Sequence, residues 1–117
     1  MAYVISHNVV SPLGLSTKEN LDATINNRTA IKNWNGRWGI AEDFAASLFT
    51  DSQADNLKLD GLTLFEAIAV RSAREAIKAA GIDTGSSHTL LILSRTNGNV
   101  PLLECEKVFD ERHLPVQ

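Results

Sequence analysis

The alternation of apolar and polar positions along the chain predicts two buried strands separated by helices. Residues 3–10 form a short run rich in β-branched and aromatic side chains, and residues 89–94 form a second, nearly continuous apolar run. Each run is bounded by turn-forming residues, which is typical of strands buried on both faces of a parallel sheet. Because helical patterns lie between the runs, we expect them to be parallel strands, adjacent or nearly so, in one sheet.

The first helix is predicted over residues 17–27, directly after the turn that ends the first run. Ser16 and Glu19 have the spacing of a capping box, in which a hydroxyl and a carboxylate bind the free amides at a helix start. Leu21 and Ile25 are one turn apart, so we expect them on the inner face of this helix.

The strongest periodic signal in the chain predicts a second helix over residues 63–80. Apolar side chains recur there at every third or fourth position, Thr63 and Glu66 repeat the capping-box spacing, and Gly81 follows where a helix commonly ends. The polar positions of this helix are expected to face solvent: Glu66, Arg71, Arg74, Glu75 and Lys78. The many alanines on its apolar stripe predict close packing against a neighbouring sheet or helix.

The stretch of about 32–61 gives only weak signals, and we expect an irregular connection with small elements there. Residues 41–48 are compatible with a helical turn or two. Trp34 and Trp38 alternate with Asn, Gly and Arg. Such a pair of rings can form a platform for a sugar or an aromatic ligand, but we favour the interpretation that they cover the edge of the sheet.

Composition and charge limit the classes of function. The 117 residues are 44% hydrophobic and 21% charged, with a net charge of −3, which is ordinary globular usage. Nucleic-acid and membrane-surface binding normally need a basic patch, and the sequence has none, so neither partner is expected. The apolar runs are far shorter than the roughly 20 residues of a membrane-spanning helix. We therefore expect a cytoplasmic protein.

The residue types that could carry chemistry are few and scattered. The single cysteine, Cys105, lies between Glu104 and Glu106 in a predicted last helix, where the neighbouring carboxylates disfavour a reactive thiolate. His7 is interpreted as a histidine in or beside the first strand, and the two others as loop or terminal positions: His88 and His113. These residues show no metal-ligand spacing. We therefore predict no catalytic, cofactor-binding or metal-binding residues in this chain, and no cofactor.

Two further positions carry weaker hypotheses about ligands. Arg71 and Arg74 could hold a phosphate, although a solvated helix face is the interpretation we favour. Residues 95–99 follow the second predicted strand, and ligands of open α/β sheets usually bind at the carboxyl ends of strands.

Two segments of the sequence resemble beta-ketoacyl-acyl-carrier-protein synthases of the thiolase superfamily. Residues 9–14 read Val-Val-Ser-Pro-Leu-Gly, which matches the opening motif of that family, and residues 27–31 partly match its Gly-Arg-Ser-Gly-Ile. Residues 74–82 are similar to the family's Arg-Glu-Ala-Leu-x-x-Ala-Gly-Leu. The chain has Ser-His-Asn at residues 6–8 where the family has Gly-x-Gly, and Ser-Arg-Thr at residues 94–96 where it has Gly-Thr-Gly. The resemblance is therefore to a divergent branch.

The resemblance implies an α/β protein with an incomplete thiolase-like layered fold, a mostly parallel sheet flanked by helices. Residues 1–117 would be the truncated amino-terminal part of a ketosynthase domain. The parent would catalyse decarboxylative condensation of acyl thioesters in fatty-acid or polyketide synthesis. The family's nucleophilic cysteine and both catalytic histidines lie downstream of every motif matched here, so the fragment itself is expected to be inactive scaffold.

The resemblance also implies partners. In the family, acyl-carrier protein docks partly through basic residues just before the long helix, where this chain offers only Lys58, so carrier docking through this segment is in doubt. A truncated sheet would expose an edge and apolar helix faces, so we expect the chain to self-associate. Two alternatives stay open: a non-catalytic, chain-length-factor type partner subunit, and a self-contained small α/β binding module.

Overall fold

The computed structural model describes residues 1–94 and Asn99, and the regular secondary structure of this part is mainly helical. Its elements, in chain order, are α1 (Thr17–Ile25), β1 (Ile31–Trp34), a 3-10 turn (Arg37–Gly39), β2 (Phe44–Ser47), α2 (Asp51–Leu57) and α3 (Leu64–Ala80). The apolar side chains that are fully buried within it are few: Ala23, Leu57 and Ala67.

The predicted parallel sheet and the thiolase-like layered α/β fold are wrong for the described residues. The sheet they contain has two strands, β1 and β2, which pair antiparallel from Ile31 with Ser47 to Trp34 with Phe44. Residues 3–10 and 89–94 belong to neither strand. An apolar run indicates that its side chains prefer burial, but a strand forms only when a neighbouring backbone pairs with it. In the described part of the chain, no neighbouring strand pairs with either run.

Exposure of the two apolar runs shows the consequence directly. Val4 is 83% exposed and Ile92 is 81% exposed, although both were expected in the centre of a sheet. Five further large apolar side chains of the two runs are also exposed: Tyr3, Ile5, Leu90, Leu91 and Leu93. The described part of the chain therefore presents two mostly exposed apolar segments to solvent.

The hairpin of β1 and β2 lies in the stretch expected to be irregular. Phe44–Ser47 alternates half-buried and exposed side chains, the pattern of a strand, so the helical turn suggested for residues 41–48 is wrong. The indole Nε1–H of Trp34 donates to the backbone oxygen of Ala46 at 3.0 Å and joins the two strands. Trp34 therefore covers a hairpin, not the edge of a parallel sheet.

The first helix begins where the sequence predicts, but a different face is buried. The Ser16 hydroxyl accepts from the Glu19 amide, and the Glu19 carboxylate accepts from the amide of Leu15 at 2.7 Å. The Ser16 hydroxyl also donates to Glu19 Oε2 at 3.0 Å. This hydrogen bond and then the one from the Leu15 amide lower the pKa of the Glu19 carboxyl. Leu21 and Ile25 are exposed rather than inward, because Ala23 is the residue that α1 buries.

Asn20 connects α1 to the turn that precedes it. Ser11 and Gly14 exchange backbone hydrogen bonds of 2.9 and 3.0 Å across this turn. The Asn20 amide nitrogen lies within hydrogen-bond distance of the backbone oxygens of Val9, Gly14 and Ser16, and its oxygen accepts from the Ser11 hydroxyl. A single side chain therefore fixes the position of the turn against the helix.

The predicted long helix is confirmed at both ends. Thr63 and Glu66 form a complete capping box ahead of Leu64–Ala80, and Gly81 ends the helix with a φ of 65°. This left-handed conformation is one that glycine adopts at little cost. Helix α3 packs against α2, and its Ser72 hydroxyl donates to the backbone oxygen of Asn8 at 3.3 Å.

Replacing Gly14 with alanine is expected to destabilise the protein. A Cβ at this position would overlap the Cβ of Glu19, so the turn or the start of α1 must move. Forcing an extra methyl group into an occupied site costs about 1–3 kcal/mol of unfolding free energy. Urea unfolding followed by circular dichroism measures this loss. Gly85→Ala is the matched control, because its Cβ would meet nothing closer than 3.4 Å; equal losses in both variants would contradict the packing described for Gly14.

Candidate functional site

An apolar cavity of about 530 Å³ lies among the described residues and could accept a small molecule. Its wall comes from the 3-10 turn, the segment after β2, α2 and the first turns of α3. The lining side chains are Arg37, Trp38, Leu48, Phe49, Ala54, Thr63, Leu64, Phe65, Ile68 and Asn99. Ligand sites are typically apolar cavities of roughly 300–1,000 Å³ with a few polar groups, and this cavity fits that description.

Arg37 is the cation of the cavity wall, and aromatic rings hold it in place. Its Cζ lies 4.8 Å from the ring centroid of Trp34 and 5.7 Å from that of Trp38. Trp38 in turn stacks on Phe44, with centroids 5.9 Å apart and planes inclined by 21°. Cation–π contacts of this kind fix a guanidinium without satisfying its hydrogen bonds.

On one edge of the Arg37 guanidinium, only one of the two N–H donors has a hydrogen-bond acceptor among the described residues. Nη2 donates to Asp51 at 3.0 Å, and the Asp51 side chain is 85% exposed, so this ion pair is a surface contact. Nε is buried and has no acceptor among the described residues. Nε and Nη2 lie side by side on the fork that carboxylates bind with two parallel hydrogen bonds.

The turn that carries Arg37 and Trp38 has several residues with positive φ angles. Gly36 and Gly39 have positive φ angles of 61° and 72°, and Trp38 between them has a φ of 58°. A positive φ is unfavourable for a residue with a bulky side chain. Trp38 remains 58% exposed, so the expectation that the tryptophans cover the edge of a parallel sheet is wrong for Trp38 as well as for Trp34.

A polar cluster closes the α3 end of the cavity. Thr63 Oγ1 donates to Asn99 Oδ1 at 2.6 Å, and Asn99 Nδ2 donates to Glu66 Oε1 at 2.7 Å. Asn99 is 4% exposed. Glu66 was predicted to lie on a solvated face, but it belongs to this hydrogen-bonded cluster. Of residues 95–99, only Asn99 lies within the described part, where it contacts a helix cap.

Arg71 also differs from its predicted position on a solvated face. Its Nε donates to the backbone oxygen of Leu57 at 3.1 Å, and its Nη2 to that of Asn56 at 3.2 Å. These carbonyls are at the end of α2, where backbone oxygens lack helical partners. Arg71 therefore stabilises a helix terminus, whereas Arg74 is exposed, so the two do not form a phosphate site.

The remaining candidate residues do not come together. His7 Nδ1 lies 3.0 Å from Thr17 Oγ1 at the surface, and His88 is exposed. Lys58 pairs with Asp55 at 2.6 Å, and this hydrogen bond raises the pKa of the lysine. Cys105 and His113 lie outside the described residues. Within residues 1–94 and Asn99, no group of His, Cys, Asp or Glu side chains is arranged to bind a metal ion.

Comparison of the chain with protein families, curated proteins and solved structures found no match. None of the helices in the described range is long and apolar enough to cross a membrane.

The sequence analysis missed the two residues that are most informative about this cavity. Arg37 follows Trp34 by three positions and precedes Trp38, and this aromatic–cation–aromatic order is a signal that could have identified it. Asn99 carried no local signal, because its partners are more than 30 residues away along the chain. Helix α2 was also missed, although Thr50 and Gln53 have the capping-box spacing and form both of its hydrogen bonds.

Removing the Asn99 side chain is expected to destabilise the start of α3. Asn99→Ala deletes a donor to Glu66 and an acceptor for Thr63 in a buried setting, which costs about 1–3 kcal/mol of unfolding free energy. Denaturant unfolding followed by helical circular dichroism checks this value. Asn33→Ala, at an exposed β1 position, should change the same quantity by less than about 0.5 kcal/mol. An Asn99 effect as small as this control would contradict the capping role.

Proposed function

We propose that this chain is the amino-terminal part of a protein related to beta-ketoacyl-acyl-carrier-protein synthases, and that it supplies scaffold to that protein. The parent would condense acyl thioesters with loss of carbon dioxide, in fatty-acid or polyketide synthesis. The observation that carries the proposal is the Val-Val-Ser-Pro-Leu-Gly motif at residues 9–14, whose members have identifiable physical roles in the turn before α1.

The contacts of this turn explain why its residue types matter. The Ser11 hydroxyl accepts from the Leu13 amide at 3.1 Å, and Gln53 of α2 donates to the backbone oxygen of Pro12 at 3.0 Å. Gly14 leaves the space that the Glu19 side chain occupies. Three residues of the motif, Ser11, Pro12 and Gly14, therefore take part in contacts that define the turn.

The second matched segment gives similar support. Residues 74–82 include Gly81, whose left-handed conformation ends α3, and Ala76 and Ala80, which are half-buried on that helix. In the proposal these residues are structural, and the condensing chemistry belongs to parts of the parent downstream of the matched motifs.

The proposal includes a cytoplasmic location and, for the whole parent, an acyl-carrier-protein partner. An acidic carrier needs cations that are free to pair with it. Lys58 is already paired with Asp55 at 2.6 Å, so the segment before α3 provides little for such docking. Carrier binding by the parent would then use a different surface.

Two alternatives predict different sequences or behaviour. A chain-length-factor type subunit would resemble the synthases but lack the family's Ala-Cys stretch downstream of residue 117. A self-contained binding module would depend on the cavity beside Arg37, and every apolar surface needed for its stability would lie within this chain. Sequencing the reading frame beyond residue 117 distinguishes the first alternative from the proposal.

Acyl transfer provides a direct test of the scaffold role. Incubating the purified chain with an acyl thioester should leave its intact mass unchanged, because Cys105 lies between two carboxylates that disfavour a thiolate. The protein encoded by the whole reading frame should form a stoichiometric acyl adduct and release carbon dioxide from a malonyl thioester. An adduct on this chain that Cys105→Ala abolishes would contradict the proposal.

Self-association is the second expected behaviour. The exposed apolar runs near Val4 and Ile92 offer unpaired backbone and side chains that a second copy can cover, so the average mass from light scattering should rise with concentration. Val4→Lys with Ile92→Lys should keep the chain monomeric. Leu21→Lys with Ile25→Lys, at exposed α1 positions, is the control and should not. A wild-type chain that stays monomeric at high concentration would contradict this expectation.

A further inference from the structure

We propose that the cavity beside Arg37 binds a small aromatic carboxylate. The ring would occupy the apolar cavity, and the carboxylate would bind the Nε and Nη2 edge of Arg37. This inference depends on the geometry of the cavity and does not require the proposed relationship to ketosynthases.

Charge complementarity favours an anion. Arg37 contributes a positive charge to the lining of the cavity. The Glu66 carboxylate in the cluster at the α3 end accepts from Asn99 and is not itself among the described lining residues. The ion pair of Arg37 with Asp51 uses only Nη2. A planar carboxylate that displaces Asp51 gains a second hydrogen bond from Nε, which has no acceptor among the described residues. Such bidentate pairing is stronger and more directional than a single contact.

The side chains that line the cavity favour an aromatic ligand with a single negative charge. Trp38 and Phe49 provide aromatic surface, and Leu48 and Ile68 provide aliphatic surface. Aromatic ligands stack on such rings in offset or edge-to-face arrangements. A dianion such as a phosphate monoester would bring a second charge into this apolar wall, where the described lining residues supply one guanidinium and no other cation to balance it.

Arg37 is already held in position, which favours a role in binding a ligand over a purely structural role. Contacts with Trp34 and Trp38 hold the guanidinium before any ligand arrives, so little side-chain entropy is lost when a carboxylate binds. The competing Asp51 side chain is 85% exposed, so it can return to water at small cost. The site therefore needs no rearrangement of the helices.

Isothermal titration calorimetry of the full chain with 1-naphthoate tests the proposal. We expect saturable binding with one site per chain. The neutral analogue 1-naphthamide and the ringless acetate should each bind at least roughly tenfold more weakly, since each lacks one of the two interactions. Equal affinity for naphthoate and naphthamide, or no naphthoate binding up to its solubility limit, would overturn the proposal.

Substitutions of two arginines and of Asp51 test where the carboxylate of the ligand binds. Arg37→Gln should weaken naphthoate binding by roughly tenfold or more, whereas Arg74→Gln, on an exposed part of α3 outside the cavity lining, should leave it unchanged. Asp51→Asn should strengthen binding, because it removes the competing carboxylate. This last variant keeps the test decisive if Arg37→Gln fails to fold. Unchanged or weaker binding by Asp51→Asn, or equal losses in the two arginine variants, would contradict the site.

Discussion

A β-strand forms only when a neighbouring backbone accepts and donates its hydrogen bonds, and this constraint separates the elements that the chain forms from those it does not. Helices satisfy their backbone groups internally, so α1 and α3 form where capping residues begin them. The hairpin of Ile31–Trp34 and Phe44–Ser47 has its partner close in sequence. The apolar runs at residues 3–10 and 89–94 have none among the described residues, and most of their large apolar side chains are exposed.

Local signals therefore predicted much of the helical structure and little of the sheet. The Thr63 and Glu66 capping box with Gly81 fixed both ends of α3, because each of these interactions lies within a few residues. Strand pairing depends on contacts that no window of sequence contains, which is why β-branched runs were assigned to a parallel sheet that the described residues do not form. The cavity was unpredictable for a similar reason: Asn99 meets Thr63 and Glu66 across more than 30 residues.

The long-range polar contacts converge on the opening turn and the two later helices. Asn8 bonds to Ser72 of α3, and Gln53 of α2 bonds to Pro12 of the turn. Arg71 of α3 binds the carbonyls that end α2. Together with Asn20 of α1, which binds the backbone of the turn, these contacts connect the three helices into a framework. Most of the large apolar side chains of the two runs lie outside this framework.

Amide hydrogen exchange of the chain, at a concentration low enough to keep it monomeric, tests this account most directly. Amides of α3 (Leu64–Ala80) should exchange slowly, because the helix is capped at both ends and packed on α2. Amides of residues 3–10 and 90–94 should exchange almost as fast as in an unfolded peptide, because they lack backbone partners in the described structure. Strong protection of both apolar runs in the monomer would show that they are paired strands, and would contradict the account.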